Sequence, residues 1–147
     1  MRSCREWWLV ARAAAVMTAF ALARALPPAA WRRFSSGFGR TPSGARGSAV
    51  LPAHVVRAVN TASRIVPGGA NCLVRALTGR ALLARQGKTS EIVYGVARGP
   101  AGTLRAHAWL RCQGQLLLGV VGTTGFVPMP DRGRPDPRGS GHALSRS

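Results

Sequence analysis

With 147 residues the chain supports one domain. Its net charge of +17 comes from 20 Arg, one Lys and four acids, but the arginines are spaced singly apart from Arg32 and Arg33. That favours a solvated basic surface over a nucleic-acid reader and leaves an acidic peptide or an acidic partner protein open. Three cysteines (4, 72, 112) and three histidines (54, 107, 142) form neither a CxxC pair nor a metal-ligand spacing, so no metal or other cofactor is expected, and a reducing compartment is.

In chain order, residues 7–26 carry good helix formers and end at Pro27–Pro28. A positive start and the Ala21–Leu22–Ala23 triplet imitate a cleaved leader, but Arg12 and Arg24 leave only residues 13–23 uninterrupted, too short for a membrane span. The preferred reading is a retained amphipathic helix within segment 1–34, packed on the domain or lying against a membrane surface or partner, in a cytoplasmic protein. Residues 35–51, rich in Gly, Ser and Arg, read as a flexible connection. After Pro52, Val55, Val56, Val59, Ala62 and Ile65 or Val66 keep helical spacing up to Pro67–Gly68–Gly69.

A second helix starts at Asn71–Cys72 and closes at Gly87, with Leu73, Leu77 and Ala81 as its stripe. Gly79 inside it costs about 1 kcal/mol relative to Ala, which close packing against a neighbour would explain. Then the period changes. Residues 91–98, 103–112 and 115–121 read as strands of an antiparallel meander, with a short strand at Phe126–Val127. The composition beyond 129 is that of a disordered tail, 130–147, which leaves 52–129 as an α+β core.

Two residues in that core suggest chemistry. Cys72 lies at a helix start, where a thiol meets unpaired backbone N–H groups and the positive end of the helix dipole. His107 lies on the following sheet, and alternation puts Arg105, His107 and Trp109 on one strand face. A helix-start cysteine followed by a strand histidine is an arrangement that activates a cysteine nucleophile. The N–H of Cys72 is a candidate oxyanion donor. Trp109 is a candidate wall of the site or stacking surface for substrate.

The run NCLVRALTGRALLARQG, a strand with YGV, and AHAW followed by a glycine turn and LLLG resemble the leader peptidases of lasso-peptide biosynthesis. These correspond to the stand-alone C-terminal half of the B protein, a transglutaminase-like domain, and the resemblance covers residues 55–127. It implies a papain- or transglutaminase-like fold and a cysteine protease that removes the leader from a ribosomally made precursor. Cys72 becomes the nucleophile and His107 the general base. It also implies the precursor peptide, a leader-recognition protein and an ATP-dependent lasso cyclase as partners. ATP would serve the assembled system, because this chain has no GxxxxGK[ST] loop.

The third triad member is where the chain departs from that family. The aspartate expected about twelve residues after the histidine falls on Gly119, and no acid lies between Glu91 and Asp131. Either Asp131 reaches the histidine from the loop after Phe126, or Gln113 or Gln115 orients the ring, or the protein works as a dyad, the preferred option. Two other classes stay in play: a basic nucleic-acid-binding protein, and a transglutaminase-like scaffold that has lost catalysis.

Overall fold

The centre of the molecule is the helix that begins at Cys72. In the computed structural model, which describes residues 4–38, 50–68, 71–119 and 125–129, the helices are α1 (Cys4–Ala23), α2 (Pro28–Phe38), α3 (Pro52–Ile65) and α4 (Cys72–Ala84). The strands are β1 (Ser90–Arg98), β2 (Leu104–Cys112), β3 (Gln115–Leu118) and β4 (Val127–Pro128). Helix α4 touches the other three helices on one side and strands β1, β2 and β3 on the other. It is therefore buried nearly all round, from Val74 to Ala84, apart from Arg75 and Arg80. Enclosure by two layers removes the need for a single apolar stripe.

Gly79 is what lets the sheet approach this helix. A Cβ there would lie 2.6 Å from Leu118 Cδ1 and 2.7 Å from Leu110 Cδ2. The helix closes as its composition predicts: Gly87 takes a φ of 73°, and the Lys88 N–H donates to the Leu83 carbonyl at 3.0 Å.

The N-terminal segment, expected as one helix within 1–34 packed on the domain or lying against a membrane surface or partner, packs on the domain as two. It forms two helices, and α1 starts at Cys4, well before the run that Arg12 delimits. Arg12 stays near the surface, its guanidinium 4.3 Å from the Trp8 ring. Ala13, Met17 and Phe20 are fully buried in the core shared with α3 and α4. By length and a mean hydropathy of 1.3, α1 could cross a membrane, a test that core helices and signal sequences also pass. Helix α2 runs into the stretch read as linker: Phe34 packs edge-on against Phe20 and anchors it, and the Ser35 and Ser36 hydroxyls donate to carbonyls three residues back. Residues 39–49, 120–124 and 130–147 lie outside the described residues, as does the expected tail.

The strands pair antiparallel in the order β3-β2-β1-β4. Strands β1, β2 and β3 form the expected meander, and β4 adds to the far side of β1, with Gly95 opposite Pro128. Pro128 does not interrupt the pairing: an edge strand tolerates proline, and the next N–H, of Met129, donates to the Tyr94 carbonyl at 2.8 Å. Between β2 and β3 the register shifts, Leu110 facing Leu118 but Arg111 facing Leu116, so that Leu117 is the extra residue of a bulge.

Candidate active site

The α4 N-terminus is built locally. Asn71 caps it, its Oδ1 accepting from the Leu73 N–H at 3.0 Å and the Val74 N–H at 3.4 Å. The Arg75 N–H donates to the Asn71 carbonyl at 3.0 Å. Among the described residues no acceptor takes the Cys72 N–H, so it is the free donor of the helix start. The Cys72 thiol is half-buried and free, Cys4 is exposed, and Cys112 is buried with its Sγ donating to the Thr89 carbonyl at 3.4 Å.

His107 comes from β2, opposite Gly95 of β1. Its ring is held between Phe126, centroids 5.3 Å apart, and Trp109, centroids 5.8 Å apart. Its Nε2 lies 2.9 Å from the carbonyl oxygen of Gly119. Gly119 follows β3 at a φ of 82°, in the left-handed region that glycine adopts without strain.

Cys72 and His107 line one cleft of about 160 Å³, together with Asn60, Arg75, Leu117, Leu118 and Gly119. Adjacent residues of a regular strand face opposite ways, so the bulge at Leu117 accounts for Leu117 and Leu118 both reaching this cleft. Asn60 of α3 and Arg75 of α4 were not anticipated from the sequence. Arg75 follows Cys72 by three residues, which places both on one helix face. Its Nη2 donates to Asn60 Oδ1 at 2.5 Å, while its Nε is buried without a partner among the described residues.

The remaining candidates fall elsewhere. Trp109 is only 6% exposed and packs on Gly95, where a Cβ would lie 2.4 Å from its ring, so it walls the histidine and offers substrate no face. Gln113 and Gln115 lie at the β2–β3 turn, five or more residues from His107 along the sheet, about 16 Å at strand rise, and cannot orient its ring. Asp131 lies outside the described residues. Among the described residues no group of three or more His, Cys, Asp or Glu could hold a metal.

A helix-start thiol and a strand histidine thus share one cleft of an α+β domain. Residues 13–131 match the family model of the transglutaminase-like superfamily, and the chain belongs to that superfamily, which includes cysteine peptidases. No curated protein and no solved structure matches the chain.

Proposed function

We propose that this protein is a cysteine peptidase that removes the leader from a ribosomally made lasso-peptide precursor. The observation that carries the reading is the shared cleft of Cys72 and His107, with the histidine ring fixed through Nε2 by the Gly119 carbonyl. A carbonyl only accepts, so Nε2 holds the ring proton and Nδ1 the lone pair. In the proposed reaction Nδ1 takes the thiol proton as Cys72 Sγ attacks the carbonyl carbon of the leader's last residue. The oxyanion receives the Cys72 N–H. The imidazolium then protonates the leaving amine, a thioester remains on Sγ, and His107 activates the water that hydrolyses it.

The resemblance in the Cys72 helix and the AHAW strand supports the narrower assignment, with the precursor, a leader-recognition protein and an ATP-dependent cyclase as partners. The test is reconstitution. Purified protein, the leader-recognition protein and a precursor encoded in a neighbouring reading frame are mixed, and products are read by mass. Expected are a leader and a core peptide from the wild type, and intact precursor with Cys72→Ala. Equal cleavage by both proteins would sink the reading.

A further inference from the structure

One side of α3 borders a groove against α1. His54, Arg57, Thr61 and Arg64 recur at three- and four-residue spacing and so share one side of the helix. With Glu6, Leu9 and Val10 of α1 they enclose a groove of about 300 Å³. Asn60 lines this groove and also the cleft of Cys72 and His107. Arg57 and Arg64 line the groove and Arg75 lines the cleft, and among the described residues Glu6 is the single acid lining either. The base of the groove is apolar: Leu9 and Val10 are each 8% exposed and Ala58 is 3% exposed.

We propose that the groove between α1 and α3 binds an acidic stretch of the substrate peptide, whose carboxylates pair with Arg57 and Arg64, while Asn60 marks its passage into the catalytic cleft. This rests on the peptidase reading of Cys72 and His107 and adds the class of sequence recognised. Charge complementarity selects an acidic partner, and the apolar base suits aliphatic side chains between the acids. Arginine forks hold carboxylates in paired geometry. Arg57 and Arg64 are seven residues apart, about 10 Å along the helix, which an extended peptide covers in about three residues. Carboxylates at positions i and i+3 therefore match. Among the described residues no Phe, Tyr or Trp lines the groove, which leaves the His54 imidazole as its single ring and no run of stacking platforms for successive bases.

Binding is measured by fluorescence anisotropy on the Cys72→Ala protein, with a labelled decapeptide carrying Glu at i and i+3 among Ala and Leu, and with its Gln counterpart. The Glu peptide should bind about tenfold more tightly. R57Q/R64Q should remove that difference, and R32Q/R33Q, which deletes the same charge from exposed positions on α2, should preserve it. The proposal is overturned if the two peptides bind alike, or if the α2 pair loses as much as the α3 pair. An oligoribonucleotide of equal charge that binds more tightly and depends on the same two arginines also overturns it. The peptide comparison needs no groove substitution, so a misfolded variant cannot mask the result. Because no turnover is read, failed reconstitution counts against the peptidase assignment alone.

Discussion

The Gly119 carbonyl occupies, with respect to His107, the place a triad carboxylate would take: its oxygen lies 2.9 Å from Nε2. A carboxylate would orient the ring and also stabilise the imidazolium charge. A peptide carbonyl orients the ring but contributes only its dipole. In the proposed peptidase, the acid that the resemblance places at this position is replaced by the backbone carbonyl of Gly119.

Restoring the acid at that position should therefore fail. A Cβ on Gly119 would lie 2.9 Å from the Ala108 carbonyl oxygen, 3.0 Å from Trp109 Cβ and 3.2 Å from His107 Nε2, at a φ of 82°. Gly119→Ala and Gly119→Asp should each cost about 1–3 kcal/mol of stability in urea unfolding and lower turnover through the displaced ring. Wild-type stability with higher turnover in Gly119→Asp would show that the position accepts a carboxylate and that the carbonyl is dispensable.

His107→Gln separates orientation from proton transfer. Its amide can still donate to the Gly119 carbonyl but cannot relay a proton, so cleavage should fall by at least about 100-fold, as for His107→Ala. Near-wild-type single-turnover rates in the Gln variant would remove His107 from the proton relay.

Gly79→Ala sets two effects against each other. Alanine favours the helix by about 1 kcal/mol. The added methyl meets Leu110 and Leu118, both buried and unable to yield into solvent, at an overpacking cost of about 1–3 kcal/mol. The expected net result is a lower urea midpoint at unchanged m-value. A raised midpoint would mean that the sheet can retreat from α4 at little cost.

Phe20 tests whether α1 belongs to the folded domain. It is fully buried, with ring centroids 6.2 Å from Trp31 and 5.5 Å from Phe34. Phe20→Ala should destabilise the protein by about 3–5 kcal/mol. The intact mass of the protein from its host should include residues 1–23, since their removal would strip the core of Met17 and Phe20. A mass lacking them, or an unaltered unfolding midpoint in Phe20→Ala, would contradict the docked helix.

What the sequence determined by itself is what short-range physics controls. Asn71 before Cys72 caps a helix through the amides two and three residues on, so the position of the thiol follows from neighbours in the chain. Gly87 ends that helix, and the alternation of Leu104–Cys112 makes a strand that carries His107 beside Trp109. Other features depended on distant parts of the chain meeting. Ser35 and Ser36 look like linker until Phe34 docks on Phe20, and β4 finds β1 although β3 precedes it. Trp109 looked available to substrate until Gly95 gave its ring a seat. Asn60 is one polar residue of an amphipathic helix, with nothing nearby in sequence to link it to Arg75 or Cys72. Gly119 has no side chain to announce a role, and its carbonyl faces His107 only because a bulge and a positive φ turn it there. Caps and periodicity are written within a few residues, whereas a backbone oxygen directed at a ring twelve residues away exists only after the sheet has closed.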